Sequence, residues 1–202
     1  MTPIAIATED ELSEAVALRL VAEVDEPHEV KHLLRRNGFG YLRSRMDSWC
    51  QMAQRQVVLV VTDLDQGACP VALSQQWLAG QPTAPHLVLR VAVREVESWV
   101  LADHKAMREL IGPRGTLPPQ PDELPDPKQA LLRLAKGAPR AVRNDLFREM
   151  AGQPAQGLGY NARLTAWVRT QWNPEQAAER SPSLARARKR LQQTVRDFAQ
   201  AS

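Results

Sequence analysis

Apolar residues along the chain fall into two alternating kinds of pattern. VVLVV (57–61) is an unbroken apolar run, HLVLRVAV (86–93) is nearly one, and PIAIA (3–7) is a shorter one. Consecutive apolar positions over such lengths predict strands covered on both faces, as in a parallel sheet. Between the runs the spacing becomes helical. DELSEAVALRLVAEV (10–24) carries Leu12, Val16, Leu20 and Val24 on one face, and YLRSRMDSWCQMAQ (41–54) carries Leu42, Met46 and Trp49. Pro70 suits a helix N-terminus and opens a segment ending at Gly80, while residues 94–112 read as one helix stopped by Gly112 and Pro113. Val30 to Leu34 fits either a short edge strand or a helical turn. Strands alternating with helices imply parallel pairing through right-handed crossovers.

The chain changes character after residue 112. GPRGTLPPQPDELPDP contains six prolines, which forbid continuous helix or central strand, so 113–127 is expected as a loop. Residues 128–202 read as mostly helical, including 140–150. The last helix is expected to start at Pro182, capped by Ser181, with Leu184, Ala187, Leu191, Val195 and Phe198 as its apolar stripe. The expected organisation is an α/β domain at 1–112, the proline-rich loop, and a basic helical extension at 128–202 packed on the domain.

Composition excludes several classes. With 44% hydrophobic and 24% charged residues, the chain is neither wholly disordered nor fibrous. No stretch approaches the roughly 20 apolar residues of a membrane span, and the N-terminus lacks the pattern of a signal peptide, so a cytoplasmic protein with no membrane partner is expected. Cys50 and Cys69 lack redox or zinc-knuckle spacing and are expected as buried thiols. His28, His32, His86 and His104 share no metal-ligand spacing, and no Walker or GxGxxG motif occurs, so the chain is not expected to hydrolyse ATP alone. The five tryptophans are expected in the core.

Charge adds an asymmetry that the net +3 conceals. Residues 1–127 hold 12 Lys and Arg against 18 Asp and Glu, whereas 128–202 hold 14 against 5. An acidic half suited to cations joins a basic half suited to a polyanion. In an open parallel sheet, ligands bind beyond the carboxyl ends of the strands. Each predicted strand end here carries carboxylates: Glu9 after the first, Asp63 and Asp65 after the second, Glu95 and Glu97 past the third. Like charges about 4 Å apart repel by roughly 4 kcal/mol at an effective dielectric near 20, so such a cluster needs a proton, a basic side chain or a cation. Mg²⁺ suits it, because one or two carboxylates and several waters complete its shell. On the basic side, Arg186, Arg188, Lys189 and Arg190 cluster near the start of the last helix and are candidate nucleic-acid contacts.

IAIATED, VVLVVTDLDQG and LRVAVREVESWVLAD together resemble the Toprim domain, the metal-binding module shared by topoisomerases, primases and nucleases of the overcoming-lysogenization-defect group. The resemblance covers residues 3 to about 111 and implies a Toprim-like, Rossmann-like α/β fold. REVESWVLAD further resembles uncharacterised bacterial Toprim-like proteins, some encoded beside ATPases in defence-type gene clusters. Carried over residue by residue, the resemblance makes Glu9 the catalytic glutamate, Asp63 and Asp65 the metal-binding pair, and Glu97, in competition with Glu95, a further acidic ligand. Lys128 in PDPK is the candidate for the lysine that nuclease-type members place near the site. One departure is Asp10, where many members have Gly. The implied function is Mg²⁺- or Mn²⁺-dependent endonuclease activity in bacterial defence, with a separate ATPase as a partner. The alternative is a degenerate, non-catalytic module that binds nucleic acid or that ATPase.

Overall fold

A computed structural model describes residues 1–36, 40–67 and 69–201. Four parallel strands form the central sheet: β1 (Thr2–Thr8), β2 (His28–Arg35), β3 (Val57–Asp63) and β4 (Leu87–Ala92), in the order β2-β1-β3-β4. β1 and β3 are central and buried almost throughout, as continuous apolar runs require. β2 is an edge strand, largely exposed, which resolves the ambiguity over Val30 to Leu34.

Side-chain alternation along the strands divides the core into two layers. Ala5, Ala7, Val58, Val60, Leu87 and Leu89 face the smaller layer, covered by α2 (Tyr41–Ser44) and α3 (Met46–Met52) through Leu42, Met46 and Trp49. Ile4, Ile6, Leu59, Val61, Val88 and Ala92 face the larger one. It is covered by α1 (Glu11–Val21), α5 (Glu97–Ala102), α6 (His104–Ile111) and the C-terminal half. α4 (Pro70–Leu78) flanks β4 and buries none of its residues. The architecture is Rossmann-like α/β: a parallel sheet flanked by helices, with a long C-terminal helix.

The C-terminal half consists of α7 (Pro127–Lys136), α8 (Arg140–Leu146), a hairpin of β5 (Phe147–Met150) and β6 (Gln153–Gln156), α9 (Tyr160–Thr170), α10 (Pro174–Ala178) and α11 (Pro182–Ala201). The helix expected over 140–150 therefore ends at Leu146 and turns into a strand. The expected α11 stripe is present: Leu184, Ala187, Leu191 and Val195 lie in the same core cluster as Ile4, with Phe198 packed against it. The Ser181 hydroxyl caps α11 by accepting from the Leu184 N–H at 3.2 Å. The proline-rich loop is pinned rather than loose, since the Asp122 carboxylate accepts from the Ser181 hydroxyl (2.8 Å) and the Ser183 N–H (2.9 Å).

Two further expectations need correction. The helix expected over 94–112 is broken into α5 and α6 at Asp103, whose ψ of 86° leaves the helical region. Its buried carboxylate caps α6 through the Ala106 N–H (3.0 Å) and accepts from the Asn173 N–H (2.8 Å), so one side chain both restarts a helix and anchors the segment before α10. Cys50 is buried as expected, but Cys69 is exposed. Trp49, Trp99, Trp167 and Trp172 are buried, in keeping with core roles, whereas Trp77 is only partly buried against the smaller layer. No helix among the described residues is long and apolar enough to cross a membrane.

Asp103→Ala removes a cap and takes the acceptor from the half-buried Asn173 N–H, and is expected to lower the unfolding free energy by about 2–4 kcal/mol. Urea denaturation beside the wild type checks this.

Candidate active site

The chain leaves β1 for β2 on one side and returns to β3 on the other, so the strand order reverses between β1 and β3. A crevice opens at the carboxyl ends of two strands where neighbouring connections diverge in this way. Glu9 follows β1 and Asp63 ends β3, so the topology sets them at this point. Thr62 joins them: its hydroxyl donates to Glu9 Oε1 at 3.0 Å. Burial pushes the Glu9 carboxyl above its ordinary pKa; the Thr62 bond works against this, and the charges of Asp65 and Asp10 add to it.

Asp63 Oδ1 accepts from the Val96 N–H at 2.9 Å, which ties the end of β3 to the turn after β4. Burial, then the charges of Glu97, Asp10 and Asp65, raise its pKa well above the ordinary value, and Lys128 only partly offsets them. In the same turn Leu64 is buried, as the spacing of DLD suggests, and the Gly67 N–H closes back on the Leu64 carbonyl at 2.8 Å. A Cβ at Gly67 would lie 2.8 Å from that carbonyl oxygen, so glycine is required by close approach. Asp65 (φ 50°) and Arg94 (φ 63°) both adopt left-handed backbone. They brace each other: the Asp65 N–H donates to the Arg94 carbonyl at 2.8 Å, and the Arg94 guanidinium donates to the carbonyls of Asp65 (3.0 Å) and Gly67 (3.2 Å). Such backbone costs of order 1–3 kcal/mol per residue and clusters at functional sites.

Glu95, Glu97, Lys128 and Tyr160 form the other side of the cluster. Glu95 accepts from the Lys128 ammonium (2.9 Å) and from the Lys128 backbone N–H (3.0 Å) at the first turn of α7. Glu97, 3% exposed, accepts from the Tyr160 hydroxyl at 3.0 Å and lies 3.7 Å from the Lys128 ammonium. The pairing is asymmetric. Burial dominates at Glu97 and, with Glu95 adding its charge against the pull of Lys128, lifts its pKa to about 7. Lys128 also loses hydration, but Glu97, Glu95 and Asp63 outweigh that loss and hold its pKa above the ordinary value. Burial and the Glu97 charge raise Tyr160 as well, so its hydroxyl stays a donor.

No family model, curated protein or solved structure matches this chain.

The fold thus brings together Glu9, Asp63, Asp65, Glu97 and Lys128, as the sequence reading expected, through bonds or mutual charge effects. Asp10, the departure from the Toprim pattern, caps α1 by accepting from the Ser13 N–H at 2.7 Å. Glu97 makes no pair with Arg90 or Arg94; its partners are Lys128 and Tyr160. Sequence reasoning missed Thr62 and Tyr160, although Thr62 is the one hydroxyl in an otherwise apolar strand next to the aspartate, and that was a usable signal.

Among the described residues, no three His, Cys, Asp or Glu side chains converge into a ready cation cage. Glu97 and Glu95 are engaged by Lys128 and Tyr160, whereas Asp63 uses one carboxylate oxygen on Val96 and Asp65 makes no side-chain bond among the described residues. Hard, mutually repelling oxygens in that number fit Mg²⁺ with retained waters better than a cation that needs six or more protein ligands.

The four candidate nucleic-acid contacts near the start of α11 are not one surface. Arg188 pairs with Glu23 at 2.8 Å and Lys189 is exposed, while Arg186 and Arg190 line a groove beside β4.

Because Glu97 is raised from 4.5 to about 7, its proton stabilises the fold below pH 4.5, and that contribution is lost as pH rises through 7. Glu97→Gln, which keeps an acceptor for Tyr160, is expected to match the wild type near pH 4.5 and to exceed its stability by roughly 3 kcal/mol at pH 8. Urea titrations of both proteins at the two pH values measure the difference.

Proposed function

We propose that the protein is a Mg²⁺- or Mn²⁺-dependent nuclease that hydrolyses phosphodiester bonds. The observation that carries the reading is the carboxylate cluster at the reversal point of the sheet, with Lys128 inside it. Asp63 and Asp65 would hold the ion, with Glu97 as a further acidic group. The ion would supply charge neutralisation at a phosphoryl oxygen.

The chain's own groups divide the remaining work. Glu9, its pKa raised and its carboxylate oriented by Thr62, is suited to exchange a proton with water or with the leaving oxygen. Lys128 remains cationic and faces the charge that develops on phosphate. Tyr160 and Glu95 keep Glu97 and Lys128 in place. Nucleic acid as substrate is supported by the excess of 14 basic over 5 acidic residues after residue 127, of which Lys189 is exposed. A role in bacterial defence beside a separate ATPase belongs to this proposal through the Toprim resemblance alone.

A second reading, the non-catalytic module, is favoured by one observation: Lys128 neutralises part of the cluster through its ion pairs with Glu95 and Glu97. It predicts nucleic-acid binding that is unchanged in EDTA, and no cleavage.

The test is cleavage of plasmid, single-stranded DNA and total tRNA in Mn²⁺ or Mg²⁺. Glu9→Gln and Asp63→Asn are each expected to lower the rate by about 10²–10⁴-fold. Metal-dependent cleavage that survives both substitutions would overturn the assignment.

A further inference from the structure

The β4 edge of the sheet is a second place where strong polar groups lack partners, and it stands apart from the carboxylate site. The His86 carbonyl accepts from the Val58 N–H at 3.0 Å and the Ala92 carbonyl from the Leu64 N–H at 3.0 Å, so the even-numbered residues of β4 turn their backbone toward β3. Leu87, Leu89 and Val91 therefore turn theirs outward. The Leu87 N–H is taken by the Ala84 carbonyl at 3.1 Å, but the N–H groups of Leu89 and Val91 meet no partner among the described residues. Natural proteins usually cover or disrupt such an edge.

Here the edge lines a groove of about 900 Å³ between α4 and α11. The α4 wall exposes two apolar side chains, Val71 (63%) and Leu78 (40%), beside Ser74 and Gln75. The opposite wall is cationic. Arg186 and Arg190 of α11 stand beside Arg90 of β4, whose Nε is buried without a hydrogen-bond partner. Burial, then the charges of Arg190 and Arg186, hold the Arg90 guanidinium below its ordinary pKa. No Asp or Glu lines the groove among the described residues. Elsewhere on α11 the arginines are neutralised: Arg188 by Glu23 and Arg196 by Glu26.

These features select among occupants. A second copy joined edge to edge would bring six arginines together with no carboxylate between them. A nucleic-acid strand would find no aromatic side chain in the lining on which to stack its bases. An extended polypeptide satisfies all three features: its main chain pairs with the free edge, its apolar side chains cover Val71 and Leu78, and its carboxylates meet the guanidiniums. We infer that the groove is a docking site for an extended acidic segment of a partner protein, which adds a fifth strand beside β4 and sets its carboxylates against Arg90, Arg186 and Arg190.

The probe is a displayed library of random 12-residue peptides, selected on the full chain and then tested as synthetic peptides. Enriched sequences should alternate Asp or Glu with apolar residues. Binding should weaken roughly tenfold or more in Arg186→Glu/Arg190→Glu. These two side chains are exposed, so thermal melting should show the variant folded. Hydrogen exchange should show peptide-dependent protection at the Leu89 and Val91 amides. The inference is overturned if no peptide enriches, if enriched peptides lack acids, or if the double variant binds them equally well. It is also overturned if a 12-nucleotide oligonucleotide alone depends on these arginines, or if self-association protects the same two amides.

Discussion

Glu97 is buried and Asp63 half-buried at the carboxyl end of the sheet, and each bears a carboxyl group whose charged form burial disfavours. Glu97 raises the pKa of Asp63 further by its charge. At an effective dielectric near 20, two unit charges 4 Å apart cost roughly 4 kcal/mol, so the arrangement depends on a proton or a positive charge nearby. Lys128 supplies one. It comes from beyond the proline-rich loop, as does Tyr160, which donates to Glu97. The C-terminal half is therefore part of the site as well as part of the core.

Several long-range bonds hold that half where the site needs it. The Trp99 indole donates to the Ser183 hydroxyl at 2.7 Å, and the Trp172 indole to the Trp99 carbonyl at 3.2 Å. Arg19 of α1 reaches the Trp172 carbonyl at 3.0 Å. The first two bonds meet at Trp99 of α5, whose first residue is Glu97, and the third holds Trp172 against α1. Packing that looks remote from the strand ends thus fixes the direction of a site carboxylate, and the buried Asp103 cap reinforces the same junction.

How much of this was legible in the sequence follows from how each feature is encoded. β1, β3 and β4 were legible because strands covered on both faces must be apolar at nearly every position. β2 was ambiguous because, unlike the other edge strand β4, it is largely exposed and leaves no clear period. The break at Asp103 was hidden, since apolar spacing continues on both sides of it, and the hairpin after Leu146 was hidden because its strands are only 4 residues long and mostly exposed. Glu9, Asp63, Asp65 and Glu97 were legible as strand-end acids. Lys128 was suggested by resemblance, whereas Tyr160 carries no local signal, because its partner lies 63 residues away. The basic run of α11 is one cluster in sequence, yet the fold divides it between an ion pair, solvent and a groove.

The central claim is that the clustered carboxylates accept a divalent cation in place of protons. Calorimetric titration with Mn²⁺ at pH 6 and pH 8, in buffers of different ionisation enthalpy, tests it directly. The account predicts saturable binding that releases protons at pH 6, releases fewer at pH 8, and is lost in Asp63→Asn. Absence of binding at millimolar Mn²⁺, or binding unchanged by Asp63→Asn, would contradict it.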